Sequence, residues 1–99
     1  MKLTRIKAQH CHELCCKDPN YEGYRIYLFS YKTLVAYTVP DGMKVCYKTD
    51  KKWSSTTSKH INAFIKRYNL SVIQPMEQKE LDAMLIDLQP RLNFELTVN

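Results

Sequence analysis

Three stretches between residues 24 and 48 decide the fold: YRIYLFSY at 24–31, LVAYTV at 34–39 and MKVCYK at 43–48. All three are rich in aromatic and β-branched residues, which favour extended backbone. The connection Pro40-Asp41-Gly42 is a strong turn signal, because proline presets the first turn residue and glycine accepts a positive φ. The sequence therefore predicts a three-stranded antiparallel meander over residues 24–48.

Two amphipathic helices are predicted after the meander, because apolar residues recur there at i, i+3, i+4 and i+7. The first helix covers about residues 56–68 and ends at Asn69, a residue that tolerates the left-handed backbone of a helix end. The second covers about residues 76–88, with Pro75 at its start and Pro90 beyond its end.

The remaining segments complete an α+β fold. Residues 2–9 favour an N-terminal strand, and the alternation of apolar and polar residues over 92–98 favours a C-terminal strand. The polar segment between the N-terminal strand and the meander, residues 10–20, contains a turn signal at Asp18-Pro19-Asn20. We expect a single domain over residues 1–99, with both helices on one face of an antiparallel sheet.

Charge is distributed unevenly along the chain. The net charge is +5, but residues 1–76 carry 13 basic and 5 acidic residues, whereas residues 77–99 carry 2 basic and 5 acidic residues. Between Lys44 and Arg67 there are 7 basic residues and a single acid, Asp50. A basic region of this kind attracts polyanions, although a solvated lysine-rich surface has the same composition.

The helix-entry segment KKWSSTTSKHIN at residues 51–62 is the most distinctive part of the chain. One of Ser55, Thr56 and Thr57 suffices to cap the helix. The surplus hydroxyl groups, the free backbone N–H groups and the lysines resemble an anion site, and Trp53 is placed either to stack on a base or to close the edge of the core. The predicted partner-binding or nucleic-acid-binding residues are Lys44, Lys48, Lys51, Lys52, Trp53, Ser55, Thr56, Thr57, Ser58, Lys59, His60, Lys66 and Arg67.

Metal binding and catalysis are both disfavoured. The cluster HCHELCC at residues 10–16, with Cys46 and His60 as further candidates, matches no standard ligand spacing, so it is interpreted as reduced, partly buried thiols. The sequence shows no nucleophile–base constellation and no glycine-rich phosphate loop, and only 2 glycines are present. We predict no cofactor, no bound metal and no enzymatic activity.

The stretches SYKTLVAY at 30–37 and WSSTTSKHIN at 53–62 resemble a small uncharacterised domain of bacteriophage and plasmid proteins. The pattern of that domain is S-Y-x-T-x-(V/I)-A in a strand, then (W/Y)-S-x-T-T-S-K-H leading into a helix. The resemblance covers roughly residues 24–68. It implies a mobile genetic element acting inside a bacterial host, and it carries over no catalytic residues because the family has no established activity.

These observations lead to the expectation of a non-enzymatic protein that inhibits a host-defence nucleoprotein complex through its basic surface, as anti-CRISPR proteins do. One alternative is direct binding of DNA or RNA through the same surface. Another is a protein–protein module that uses the acidic second helix. The acidic residues of that helix include Glu77, Glu80, Asp82 and Asp87. Residues 1–7 show no apolar core of the kind that a signal peptide has, and no apolar run approaches the roughly 20 residues that a membrane span needs, so we expect a cytosolic protein. We expect a monomer or a small homo-oligomer.

Overall fold

Six strands form one sheet in which the strands lie in the order of the sequence. The computed structural model describes residues 2–5 and 11–98. The elements are β1 Lys2–Arg5, β2 Cys11–Lys17, β3 Tyr24–Ser30, β4 Thr33–Thr38, β5 Val45–Thr49, α1 Ser55–Arg67, β6 Val72–Met76 and α2 Gln78–Val98. Neighbouring strands are antiparallel from β1 to β5, and β6 returns parallel to β5 after α1. The predicted α+β class is confirmed. The sheet is mixed because β6 is parallel to β5, and α1 is the helical crossover that joins these two strands.

The predicted meander corresponds to β3, β4 and β5. A two-residue loop, Tyr31 and Lys32, joins β3 to β4, and both residues have positive φ, at 52° and 68°. Such angles are those that a type I′ hairpin turn requires. The turn at 40–42 also forms, with Gly42 at φ 82° and the Asp41 carboxylate accepting a hydrogen bond from the backbone N–H of Met43 at 2.9 Å.

The segment predicted as a polar connection contains a strand, β2. It pairs with β3 over seven residues, from Cys11 opposite Ser30 to Lys17 opposite Tyr24. Cys11, Leu14 and Cys16 are buried. The two cysteines can lie in the core because a cysteine thiol packs as a small apolar group. The predicted N-terminal strand is β1, which spans Lys2–Arg5, and the rest of its predicted range lies outside the described residues.

The two helices pack on opposite faces of the sheet, so the prediction that both lie on one face is wrong. Tyr27 and Phe29 share a buried cluster with residues of α2, whereas Leu28, between them, belongs to a second cluster with Ile61 and Phe64 of α1. Successive side chains of a strand point to opposite faces. Because β3 is apolar on both faces, each face needs its own cover, and one helix supplies each.

Hydrogen bonds at both ends define α1. The cap is Ser54, whose hydroxyl accepts from the backbone N–H of Thr57 at 3.3 Å, so the cap lies one residue before the predicted candidates. At the other end, the N–H of Asn69 donates to Lys66 and that of Leu70 donates to Ile65, with Asn69 at φ 53°. This is the Schellman arrangement, and it confirms Asn69 as the stop.

Helix α2 differs from its prediction at both ends. Pro75 and Met76 belong to the edge strand β6, and the helix begins at Gln78. It continues to Val98, so the predicted C-terminal strand over residues 92–98 is wrong, as is the predicted stop at Pro90. Of the apolar positions in this segment, only Leu92 and Leu96 continue the spacing of four from Leu88, and the alternation that predicted a strand does not prevent the helix from continuing. None of the described helices is both long and apolar enough to traverse a bilayer.

Candidate functional site

A cavity of about 230 Å³ lies where the end of β5 meets the start of α1. Six of the residues predicted to bind a partner line this β5–α1 cavity. They are Lys48, Lys51, Lys52, Trp53, Thr57 and Ser58. The lining also includes Ile61 and Asn62 of α1 and Pro75 of β6. The fold thus brings six of the thirteen predicted residues together around one concavity.

Local hydrogen bonds hold the loop that carries the cavity's aromatic residue and two of its lysines. The backbone N–H of Asp50 donates to the carbonyl of Met76 at 2.8 Å, which ties the loop to β6. The N–H of Lys51 donates to the hydroxyl of Thr49 at 3.1 Å. Three residues later, Ser54 caps α1, so the segment between β5 and the helix is fixed at both ends.

Trp53 lies on the surface with 36% of its area exposed, and Lys51 Nζ is 4.3 Å from the centroid of its ring. A cation at this distance from an indole is attracted by the ring quadrupole, worth about 0.5–1 kcal/mol at an exposed site. The contact orients the indole at the rim of the cavity and keeps a positive charge beside it.

The cavity is electrostatically positive. Lys48, Lys51 and Lys52 line it together with one acid, Asp50. Within residues 11–88, the ion pairs involve none of these lysines, and Glu77, which directly precedes α2, pairs with Lys79. The three ammonium groups therefore remain available to an anion.

Two of the predicted contact residues, Thr57 and His60, are buried, with 4% and 3% of their area exposed. The hydroxyl of Ser30 lies 2.8 Å from His60 Nδ1 and 3.0 Å from Thr57 Oγ1. A hydroxyl beside an imidazole is also the arrangement of a nucleophile and its base. Because Ser30 is only 2% exposed, a substrate has no access to it, and the network is interpreted as a polar link between β3 and α1.

The other predicted residues fall into two groups. Ser55 and Lys59 are exposed on the first turns of α1, and Thr56 is half-buried. The second group comprises Lys44, Lys66 and Arg67, which lie away from the cavity. A 13-residue helix is about 20 Å long, so its last two residues lie far from its first turn.

Arg67 has a structural role that sequence reasoning missed. Its guanidinium pairs with the Glu13 carboxylate, with Nε 2.9 Å from Oε2, and the hydroxyl of Tyr68 donates to Oε1 of the same carboxylate. Burial, reinforced by Glu13, raises the pKa of Tyr68 to about 12, so the phenol remains a donor at neutral pH. No sequence signal joins residues separated by 54 positions, and only the pairing of β2 with β3 places Glu13 beneath α1.

Lys44 lines a second cavity, of about 270 Å³, with Tyr24, Ile26 and Tyr68 among its other residues. The acidic helix, by contrast, lines neither of these cavities. Of the acids predicted there, Glu77, Glu80, Asp82 and Asp87 are all exposed. The exposed acidic surface that the protein–protein alternative requires is therefore present, and it lies outside both of these cavities.

The cysteine–histidine cluster lies on a strand. On a helix, Cys11 with Cys15 or His12 with Cys16 could coordinate one metal ion, because residues four apart lie on the same face. In the strand, residues four apart are separated by about 13 Å, so neither pair can do so. Among the described residues, no three His, Cys, Asp or Glu side chains are grouped as metal ligands. Burial raises the pKa of both Cys11 and Cys46 to about 11. His10 lies outside the described residues.

Comparison with known proteins places the chain in a family. A family model described as a family of unknown function (DUF8033) matches residues 1–83. The match extends beyond the helix-entry motif to both ends of the sheet, and it confirms the expectation of an uncharacterised family. No curated protein and no solved structure matches the chain.

Proposed function

Since the chain belongs to DUF8033, a family of unknown function, we propose from its own residues that it is a non-enzymatic protein that binds nucleic acid. The contact runs through the phosphate backbone, and the β5–α1 cavity is the site. One observation carries this proposal: Lys48, Lys51 and Lys52, which no ion pair among residues 11–88 engages, surround a single cavity beside an exposed tryptophan.

The chemistry of the cavity suits phosphate. Lysine ammonium groups bind phosphate oxygens as point charges, and each contact releases condensed counterions from the nucleic acid. Three such contacts give a slope of log affinity against log salt of about −2 to −3. The exposed hydroxyl of Ser58 adds a neutral donor of the kind that also contacts phosphates.

The biological setting is part of the proposal and rests on the resemblance to phage and plasmid proteins. In that setting the nucleic acid belongs to a nucleoprotein complex of the bacterial host cytosol, and binding inhibits a defence function, as anti-CRISPR proteins do. Direct binding of free DNA or RNA uses the same residues and predicts the same salt dependence.

Charge reversal at the cavity tests the proposal. We expect Lys51→Glu/Lys52→Glu to weaken binding of a fluorescently labelled oligonucleotide at least about tenfold, measured by anisotropy. The measurement uses about 0.15 M salt, where charges more than about 8 Å apart are largely screened. The matched control, Lys44→Glu/Lys66→Glu, makes the same charge change away from the cavity and should have little effect.

Two outcomes contradict the proposal. One is that the protein retains neither DNA nor RNA at low salt, and the other is that both double variants weaken binding equally. If a host protein is captured from lysate after nuclease treatment, and only charge reversal at Glu80 and Asp82 abolishes the capture, the protein–protein alternative is the better account.

A further inference from the structure

The β5–α1 cavity has features that phosphate binding alone does not need. Its lining includes three apolar groups, namely the rings of Trp53 and Pro75 and the side chain of Ile61. A phosphate gains nothing from these groups, because an anion prefers polar surroundings. An aromatic ring with polar edges matches them better, since its faces are apolar and its edges form hydrogen bonds.

The size of the cavity limits what can enter. At about 230 Å³ it is smaller than the roughly 300–1,000 Å³ of pockets that hold drug-sized ligands. A cavity of this volume has room for a single planar heterocycle. The lysines at the rim then contact the charged groups on either side of that ring.

Polar side chains are available for the edges of such a ring. Asn62 lines the cavity from α1, and its amide offers both an acceptor oxygen and two donor hydrogens. The hydroxyl of Ser58, one helical turn earlier, can act as donor or acceptor. Nucleobases present the complementary donors and acceptors on their edges.

We propose that the β5–α1 cavity holds one unpaired nucleobase against the face of the Trp53 indole that Lys51 does not cover, with the flanking phosphates on Lys51 and Lys52. The protein is then selective for single-stranded nucleic acid, because bases inside a duplex are stacked and paired and cannot enter a concavity. This inference rests on the proposed function and specifies its substrate class. Stacking of one base on an aromatic side chain contributes roughly 5- to 150-fold in affinity.

Trp53 is the only tryptophan of the chain, so intrinsic fluorescence reports on the cavity directly. The experiment titrates the protein with three oligonucleotides that carry equal numbers of phosphates. These are single-stranded oligothymidylate, an abasic strand of the same length, and a duplex. We expect oligothymidylate to quench the fluorescence and to bind at least about tenfold more tightly than the other two.

Substitution of Trp53 provides the second measurement, by anisotropy of labelled strands. Trp53→Ala should lower the affinity for oligothymidylate to that for the abasic strand and should leave the abasic affinity unchanged. Trp53→Phe retains a smaller ring, so its affinity for oligothymidylate should lie between those of the unchanged protein and Trp53→Ala. The control Tyr24→Ala removes another exposed aromatic ring, which is 59% exposed and lines the second cavity, and it should change neither affinity.

The outcomes separate the two proposals. Equal binding of all three oligonucleotides without quenching overturns the base pocket and leaves phosphate binding intact. Absence of binding by any of them overturns the proposed function, and the base pocket with it. Equal loss of abasic and oligothymidylate binding in Trp53→Ala shows that the indole supports the fold of the loop, which also overturns the base pocket.

Discussion

The ion pair between Arg67 and Glu13 provides a strong test of how α1 is attached to the sheet. Glu13 is only 4% exposed, and its carboxylate accepts from Arg67 through one oxygen and from Tyr68 through the other. Replacement of Arg67 by alanine leaves Oε2 without its charged partner. A buried charge that loses its partner costs about 3–5 kcal/mol.

The expected loss is at the lower end of that range or below it. The side chain of Arg67 is 32% exposed, so water can reach part of the space it leaves, and Tyr68 still donates to Oε1. We therefore expect Arg67→Ala to reduce the free energy of unfolding by about 2–3 kcal/mol. For a chain of this length that corresponds to a fall in melting temperature of roughly 10–20 °C.

Lys66→Ala is the matched control for this variant. Lys66 is the preceding residue of the same last helical turn, it carries the same charge, and it is exposed. It therefore shares with Arg67 the favourable interaction with the helix dipole but lacks the ion pair, and its replacement should cost less than about 0.5 kcal/mol. Urea unfolding followed by circular dichroism measures both free energies.

A second substitution isolates the charge. Glu13→Gln in the Arg67→Ala background removes the uncompensated charge while keeping the shape of the side chain, so the double variant should be more stable than Arg67→Ala alone. If Arg67→Ala and Lys66→Ala differ by less than about 0.5 kcal/mol, the ion pair does not anchor α1 and Arg67 is available for the surface role that its sequence position suggested.

Two further predictions concern the hairpin loop and the thiols. Lys32→Gly should raise the free energy of unfolding by about 0.5–1 kcal/mol in urea, because Lys32 has φ 68° and glycine adopts this conformation without strain, whereas Lys32→Ala keeps the strain and should bring no gain. No stabilisation by glycine would mean that the loop is not strained. In the folded protein at pH 8, the half-buried Cys15 should react with a thiol reagent faster than Cys11 or Cys46, which are buried and whose pKa of about 11 leaves little thiolate. Equal rates for the three thiols in the folded state would contradict their assigned burial, and unfolding in urea should make the rates similar.

The sequence by itself determined those elements whose signals are local. The meander followed from β-rich stretches separated by a turn at residues 40–42, and α1 followed from its apolar stripe and from Asn69, which ends it through a Schellman motif. The concentration of lysines around Trp53 could also be predicted, because residues close in sequence at the entrance of a helix remain close in space.

Tertiary structure decided the features that depend on long-range contacts. Strand β2 was not predicted, because its segment looks polar in the sequence. Cys11, Glu13 and Leu14 become buried only when the strand pairs with β3, and local composition does not reveal that pairing. The alternation over residues 92–98 is the pattern of a strand, yet α2 continues through this segment to Val98, so the local periodicity predicted the wrong element. The placement of the helices on opposite faces depends on which side of β3 each one covers.

The candidate site shows the same division between local and long-range causes. Its lysines and its tryptophan could be named from the sequence, but the cavity needs Pro75 from β6, which reaches Lys48 only through the parallel pairing of β5 and β6. His60, which was predicted to lie on the contact surface, is buried, and Arg67 forms an ion pair with Glu13. Charge and residue type are properties of the chain, whereas accessibility and concavity arise only when distant segments pack together.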